Sequence, residues 1–475
     1  MREEAGRKGG RRPVARRMTE WAKDAVLFAL VLCMLAQSAH ILVLNQRYPG
    51  NTGTLSTLRM LWQDITASGV LDTGLQESVS GRELWPSSVV LLDAAAGDGY
   101  LPFCTENDAA QIGEVLSLAL TLLQQGQPFF SEKQFEEMLM QDGLLIDLGR
   151  TLPVDIAVSL LGESGGPKRQ VRYLLITEAE NGVQLSMAGE QMMCYTVKGE
   201  QVVESYRTCV SHLRSSPSLQ SIGVAGRSGL ELGLKTGTLY AAGDTVFPVA
   251  VGSNALFGQD GAVSPTLLQT ALQAFSYNVS TPRRDVEPDG TLVYVENYSN
   301  IRLSPDGTLS YKASEVRHGL PISDFLTAAG QESYSVKDVI FAAYALLDKI
   351  QPEFGDLPGA GLRYRGASFS EEDGCVYLYF DYVLAGMTIY CEGYEHAATL
   401  CYQNGYFSSV TLLLRAYEQQ GECRLADFER QWYMAAMQSG VSPNVAELCY
   451  EDSLDGAPMV AGYRFGLVQE QEAQQ

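Results

Sequence analysis

An uncharged run near the N-terminus is the strongest constraint on this chain. Residues 25–44, with the sequence AVLFALVLCMLAQSAHILVL, contain no aspartate, glutamate, lysine or arginine. A helix of this length extends about 30 Å, which matches the hydrocarbon thickness of a bilayer. We therefore predict a single transmembrane helix at residues 24–45. A cleaved signal peptide is the alternative, since residues 36–38 form a poor version of the small-x-small cleavage site.

The charges on either side of this run predict its orientation. Residues 1–23 contain eight basic and three acidic residues, whereas the whole 475-residue chain has 34 basic and 56 acidic residues and a net charge of −22. Basic flanks stay on the cytoplasmic side of a membrane. We therefore expect residues 1–23 to be a basic cytoplasmic segment and the acidic remainder to be extracellular. Such an acidic chain excludes nucleic acid as a partner class.

Small and polar residues of the predicted membrane helix fall on one side. At 100° per residue, one stripe about 100° wide contains Ala29, Cys33, Ala36, Gln37 and His40. Small residues let helices approach closely, and a polar side chain in lipid is costly unless it meets a partner. The stripe is therefore a candidate helix-packing face. The alternative is a generic anchor that tolerates a few polar residues.

The pattern beyond the membrane predicts a stalk at residues 46–84 and then an α+β domain at residues 85–221. Apolar residues at helical spacing predict a helix at residues 107–125. Ser131 and Gln134 have the spacing of a capping box that begins a second helix. The pair Asn181-Gly182 between two extended apolar runs predicts a β-hairpin.

The second half of the chain reads as mostly β. Six glycines in residues 222–243 indicate an irregular connection. Two Pro-Asp-Gly turns, at residues 288–290 and 305–307, predict a hairpin-rich middle domain at residues 244–320. A helix capped by Ser335 and several long strands predict a C-terminal α+β domain at residues 321–475, with an antiparallel sheet and helices on one face. The fold class is therefore α+β, with two or three domains outside the membrane.

One string in the chain has the form of a catalytic motif. Residues 162–166, with the sequence GESGG, match the G-x-S-x-G pattern around Ser164. A nucleophile elbow needs a strand, a sharp turn and then a helix, whereas Pro167 and the basic residues after it lead into a strand. The four histidines have no metal-ligand spacing, and no nucleotide-binding loop occurs. We predict no catalytic, cofactor-binding or metal-binding residue and no cofactor.

Nine cysteines are scattered along the chain, eight of them beyond the membrane helix. No CxxC pair occurs, and the positions do not form a disulfide framework. We expect mostly free, buried thiols. A bridge between Cys391 and Cys401 across a hairpin is the alternative.

Several short strings, spread over nearly the whole chain, resemble the YycH family of membrane-anchored regulators. That family acts on the YycF–YycG (WalR–WalK) two-component system of low-GC Gram-positive bacteria, and YycI is a looser relative. The strings are Pro86 before the first α+β unit, the Pro-Asp-Gly turns, Phe380-Asp381-Tyr382, Gly386-Met387, Asn404-Gly405-Tyr406-Phe407 and Leu448-Cys449-Tyr450. The Pro-Trp pair near the end of that family is replaced here by Ala457-Pro458-Met459.

The resemblance implies a non-enzymatic role at the cell membrane. YycH-like proteins pair with YycI and contact the sensor histidine kinase (YycG/WalK) through their membrane helices, which adjusts kinase output and cell-wall metabolism. By analogy, the expected partners are a sensor histidine kinase, a YycI-like protein and the membrane. Two other functions are considered: an anchored serine hydrolase or esterase that uses Ser164, and a cell-wall-binding scaffold.

Overall fold

The residues that the computed structural model describes all belong to one compact unit. The described ranges are 86–102, 106–131, 133–153, 170–188, 192–227, 232–241, 245–258, 261–278, 283–296, 298–326, 334–351 and 360–466. The predicted basic segment, membrane helix and stalk lie outside them. No helix within these ranges is long and apolar enough to span a membrane.

The first half of this unit forms a nine-stranded antiparallel sheet. Its strands are β1 (Ser88–Leu92), β2 (Gly99–Pro102), β3 (Gln127–Phe130), β4 (Gly143–Pro153), β5 (Gln170–Ala179), β6 (Gly182–Ala188), β7 (Met193–Lys198), β8 (Gln220–Val224) and β9 (Leu239–Ala241). They lie in the order β3-β7-β6-β5-β4-β1-β2-β8-β9. The predicted hairpin at Asn181 is confirmed: it joins β5 to β6, and Asn181 has a φ of 59°, as a primed turn requires.

Within the described ranges three helices accompany this sheet, namely α1 (Glu106–Gln125), α2 (Phe135–Leu139) and α3 (Glu200–Arg214). The predicted helix at residues 107–125 is confirmed as α1, and Ile112, Val115 and Leu122 of its apolar side are fully buried. Both α1 and α3 pack on β6 and β7 and on each other. The predicted capping box at Ser131 is wrong. The Ser131 hydroxyl accepts a hydrogen bond from the N–H of Lys133, and α2 begins only after Gln134.

The second half of the unit forms a twelve-stranded sheet. Its strands are β11 (Arg283–Val286), β12 (Leu292–Glu296), β13 (Ser299–Leu303), β14 (Thr308–Ala313), β15 (Leu320–Pro321), β16 (Gly361–Ser370), β17 (Cys375–Leu384), β18 (Met387–Cys391), β19 (Ala398–Gln403), β20 (Tyr406–Leu413), β22 (Val445–Asp452) and β24 (Ala461–Gly466). The main path runs β11-β12-β13-β14-β20-β19-β17-β18-β22-β24, while β15 pairs with β20 and β16 with β17.

Local signals predicted much of this second sheet correctly. In both Pro-Asp-Gly turns the aspartate side chain accepts a hydrogen bond two residues on, from the N–H of Thr291 or of Thr308. Helix α5 (Val336–Ile350) follows α4 (Pro265–Ala274). As predicted, Ser335 caps α5, and Asp338 completes the capping box. Tyr344 of α5 then packs edge-on against Phe380 in the sheet.

The predicted antiparallel order is wrong at one position, because β18 and β22 run parallel. The chain between them includes β21 (Arg415–Arg424) and α6 (Phe428–Ser439), and this long connection returns β22 in the same direction as β18. Strand β21 also pairs with β10 (Val246–Asn254), which in turn pairs with β23 (Pro458–Met459), so these three form a separate small sheet.

The strand pairings cross several of the predicted domain boundaries. Strands β8 and β9 pair with each other at the two ends of the predicted glycine-rich connection. Strand β14, from the predicted middle domain, pairs with β20 of the predicted C-terminal domain. The three predicted domain ranges stay predictions, while the described residues form two large sheets and one small one.

Candidate functional site

A cleft of about 340 Å³ lies between the first and the second large sheet. Its walls come from β1, β4 and β5 on one side and from β18 and β22 on the other, together with residues 235–239 before and within β9. This volume is in the range of small-molecule binding sites. The charged residues that line the cleft are Asp147, Arg172, Lys235 and Glu447.

Two glycines allow close contacts beside the cleft, Gly149 within the first sheet and Gly386 between the two sheets. A Cβ placed on Gly149 would stand 1.8 Å from the Ser87 hydroxyl oxygen, and one placed on Gly386 would stand 1.8 Å from the Ser87 carbonyl oxygen. Two arginines of β16 add hydrogen bonds across the same junction. Arg363 donates to the Pro86 carbonyl at 3.3 Å, and Arg365 donates to the Gly149 carbonyl at 3.0 Å.

Asp147 and Arg172 provide the charges on the first sheet. The Asp147 carboxylate is almost fully buried and accepts hydrogen bonds from the Gly149 N–H at 2.8 Å and from Arg172 Nε at 3.4 Å. The negative charge of Asp147 raises the pKa of Arg172, although partial burial opposes this shift. The Arg172 side chain is still 42% exposed, so part of its guanidinium remains available to a ligand.

Glu447 and Arg365 provide the corresponding pair on the second sheet. Arg365 Nη2 donates to both carboxylate oxygens of Glu447, at 3.0 and 3.2 Å. Tyr390 and Thr388 also donate hydroxyl hydrogen bonds to this carboxylate, at 2.8 and 3.3 Å. Burial lowers the pKa of Arg365, but the charge of Glu447 and its other partners outweigh burial and raise it overall. The acceptor capacity of Glu447 is therefore largely used within the protein.

Two further cations lie in or beside the cleft. The Lys235 side chain is exposed, and no carboxylate in the described part of the chain lies within ion-pair distance of it. Arg150 is 6% exposed, and its Nη1 donates to the Leu148 carbonyl at 3.4 Å. Its Nε and Nη2 have no hydrogen-bond partner among the described residues. Burial lowers the pKa of Arg150, and the nearby charge of Arg365 lowers it further.

The cleft thus has more available hydrogen-bond donors than acceptors. Asp147 and Glu447 are held by internal donors, while Lys235 and part of Arg172 are available. Hydrogen bonds between cations and oxyanions are among the strongest that proteins form. The arrangement therefore suits a small ligand that carries a carboxylate or phosphate group.

The predicted site residues do not coincide with this cleft. The helix-packing stripe (Ala29, Cys33, Ala36, Gln37 and His40) and Ser164 all lie outside the described residues, so both stay predictions. The three described histidines lie elsewhere. His212 bonds Glu114, His318 stacks on Tyr298, and His396 bonds Asp381. Within the described ranges no group of three His, Cys, Asp or Glu residues is placed to hold a metal ion.

The seven cysteines that the structure describes are all free, and six of them are buried, as expected. The alternative bridge between Cys391 and Cys401 is therefore wrong. The register explains this: Cys391 belongs to the part of the sheet where β18 pairs with β22, whereas Cys401 in β19 lies opposite Tyr377 of β17.

Sequence reasoning missed the cleft residues because they come from distant parts of the chain. One local signal was present: Asp147 and Arg150 interrupt an otherwise apolar strand. Charges within such a strand are rarely buried without a partner, so they mark a position where another element must approach.

No protein-family model and no curated protein sequence matches the chain. Among solved structures, the chain is similar to the crystal structure of YycH from Bacillus subtilis, with 12% identity and a TM-score of 0.49, over 80% of this chain and 96% of that one. The resemblance to YycH that the sequence indicated is confirmed. An uncharacterized protein from Eubacterium rectale is also similar, with 12% identity and a TM-score of 0.25, over 48% of this chain and 80% of that one.

Proposed function

We propose that the chain is a non-enzymatic regulator of a sensor histidine kinase that controls cell-wall metabolism. Residues 24–45 anchor it in the cell membrane with the N-terminus in the cytoplasm, and the two large sheets lie outside. Its partners are a YycG/WalK-like kinase and a YycI-like protein. The kinase receives the signal through the membrane helix.

The observation that carries this proposal is the position of the cleft between two sheets. Asp147 and Arg172 lie on the first sheet, whereas Glu447 and Arg365 lie on the second. A ligand that contacts both walls binds more tightly to one relative arrangement of the sheets than to others, and differential affinity of this kind shifts a conformational equilibrium. A receptor needs such a coupling between ligand binding and conformation.

The predicted stripe on the membrane helix supports the output side of the proposal. Gln37 and His40 are costly in lipid unless they bond to a partner, and Ala29 and Ala36 leave room for one. Polar contacts between membrane helices contribute about 0.6–2 kcal/mol each. The loss of two such contacts is therefore enough to weaken the association with a partner helix measurably.

Co-purification with the kinase tests the proposal. Replacing Gln37 and His40 by leucine should weaken recovery of the kinase several-fold, because both polar contacts are lost while the helix stays apolar. A matched control replaces Met34 by leucine and Leu42 by isoleucine on the opposite side, and it should leave recovery unchanged. Equal recovery with both variants, each present in the membrane fraction, would contradict the proposal.

A further inference from the structure

Two of the free cysteines lie side by side on adjacent strands. Cys375 begins β17, and Cys401 lies in β19, where it pairs with Tyr377. Since side chains two apart on a strand point to the same face, Cys375 and Cys401 are diagonal neighbours on one face of the sheet. The Cys375 thiol donates to Gln403 Oε1 at 3.7 Å, and Gln403 lies two residues beyond Cys401 on β19.

This pair lies on the outer face of the sheet rather than in the core. The core face of β17 contains Leu378 and Phe380, which are at most 1% exposed. On the face of the thiols, the neighbouring residues Tyr377, Tyr379 and Gln403 are only half-buried. The exposed turn at residues 371–374 leads directly into Cys375. The thiols are buried, and the side chains beside them on this face are half-buried.

The surroundings of the two thiols make them chemically unequal. The neighbouring Cys375 thiol and then the Ser408 hydroxyl lower the pKa of Cys401 to about 7, although burial opposes them, and the Ser408 hydroxyl lies 3.2 Å from the Cys401 sulfur. The same pairing with Cys401 raises the pKa of Cys375. Cys401 Sγ accepts a hydrogen bond from Ser408, whereas Cys375 Sγ donates to the Asp373 carbonyl at 3.7 Å, so the contacts favour Cys401 as the thiolate and Cys375 as the thiol.

The other described cysteines lack this arrangement. Burial raises the pKa of Cys391 and of Cys449 to about 12 and that of Cys209 to about 11. Cys423 is only half-buried and has no cysteine beside it in the described structure. Reactivity toward oxidants increases with thiolate character and with a neighbouring resolving thiol. Cys375 and Cys401 should therefore react with oxidants more readily than the other described cysteines.

We propose that Cys375 and Cys401 form an oxidation site for a small peroxide such as hydrogen peroxide. The Cys401 thiolate attacks one peroxide oxygen and the O–O bond breaks, which gives a sulfenic acid and hydroxide. The Cys375 thiol then attacks the Cys401 sulfur, an S–S bond forms and water leaves. The hydroxide takes up the proton that Cys401 had released. Two thiols and one peroxide thus yield one disulfide and two waters.

Burial determines the kind of oxidant. Both cysteines are at most 5% exposed, so a bulky protein disulfide cannot reach the Cys401 sulfur without opening the sheet. A peroxide is close to water in size and needs only local movement of the half-buried side chains around it. The resulting bridge ties β17 to β19, two neighbouring strands in the middle of the second sheet.

Mapping the oxidised full-length protein tests the proposal. The purified chain is treated with hydrogen peroxide, its remaining thiols are alkylated, and it is cleaved after Glu392 and Glu395, which separates Cys401 from Cys375. We expect Cys375 and Cys401 to lose alkylation together, to appear as a cross-linked peptide two hydrogens lighter, and to recover on reduction. Complete alkylation of both, or irreversible oxidation of Cys401 with Cys375 still alkylated, would overturn the proposal.

Variants check the assigned roles. In the Cys375→Ser protein the sulfenic acid has no resolving thiol, so a dimedone probe should label Cys401, and it should label far less in the wild type. The Cys401→Ser protein should show no labelling at Cys375. The Cys423→Ser protein is the matched control and should form the same bridge as the wild type. If a variant does not fold, the cross-link map of the wild type still decides the outcome.

Discussion

Gly386 lies against the main chain of Ser87, so closely that a Cβ on Gly386 would stand 1.8 Å from the Ser87 carbonyl oxygen. This contact joins the turn between β17 and β18 to the residue just before β1. It brings the two large sheets together beside the cleft. The closeness of the two backbones makes the junction sensitive to a single methyl group.

Gly386→Ala should therefore lower the free energy of unfolding by about 2–4 kcal/mol, because it adds a backbone clash to the strain of a positive φ. The matched control is Gly393→Ala, since Gly393 has nearly the same φ (81° against 80°) but nothing within 4 Å of its Cβ position. The control should cost about 1 kcal/mol. If denaturant unfolding shows that both variants lose the same free energy of unfolding, the backbones at Gly386 and Ser87 are not in tight contact.

The buried ion pair between Arg415 and Asp452 gives a second prediction. Both side chains are 2% exposed, and two hydrogen bonds of 2.9 and 2.8 Å join them. Asp452→Asn leaves the Arg415 charge buried without a counter-charge, which should destabilise the fold by about 3–5 kcal/mol. The exposed pair between Arg207 and Glu178 is the control, and Glu178→Gln should leave the unfolding midpoint almost unchanged.

Acid stability should depend on Asp93. The N–H of Ala96, and then the Arg214 side chain and the N–H of Ala95, lower the pKa of the Asp93 carboxyl, although burial opposes them. The unfolded chain then binds the proton more readily than the folded one, so the stabilisation is present above about pH 4 and is lost as the pH falls below it.

Unfolding curves at two pH values check this prediction. Asp93→Asn should be less stable than the wild type at pH 7, and the difference should shrink at pH 3. The exposed Asp285 provides the comparison, since Asp285→Asn should have little effect at either pH. A difference between wild type and Asp93→Asn that does not change with pH would contradict the assignment.

The cleft should bind oxyanions through Arg172 and Lys235. At ten times its dissociation constant, a ligand stabilises the folded state by about 1.4 kcal/mol. Phosphate or citrate, compared with chloride at equal ionic strength, should therefore raise the thermal midpoint of the wild type. The double variant Arg172→Gln, Lys235→Gln should lose this effect. The pair Arg207→Gln, Lys312→Gln, which alters exposed cations outside the cleft, should keep it.

Local chemistry made parts of this fold predictable from sequence. The turn at Asn181-Gly182, the two Pro-Asp-Gly turns and the cap at Ser335 depend on residues that are close together in the chain, and the structure has all of them. The start of α2 was mispredicted at Ser131, because its hydroxyl bonds within a local turn instead of capping a helix.

Long-range pairing was not predictable in the same way. The parallel arrangement of β18 and β22 depends on how a long connection returns the chain. The cleft depends on Arg172 and Glu447 lining the same space from two different sheets, and one sequence has no pattern that links positions so far apart. The oxidation site has the same origin, since Cys375 and Cys401 are adjacent only through the register of β17 and β19.

The phosphorylation level of the kinase, measured in proteoliposomes with and without the full chain, tests the central claim most directly. The proposal predicts that the wild-type chain changes kinase autophosphorylation several-fold, that Gln37→Leu with His40→Leu abolishes the change, and that Met34→Leu with Leu42→Ile preserves it. A kinase whose phosphorylation is the same with the wild-type chain as without it would contradict the claim.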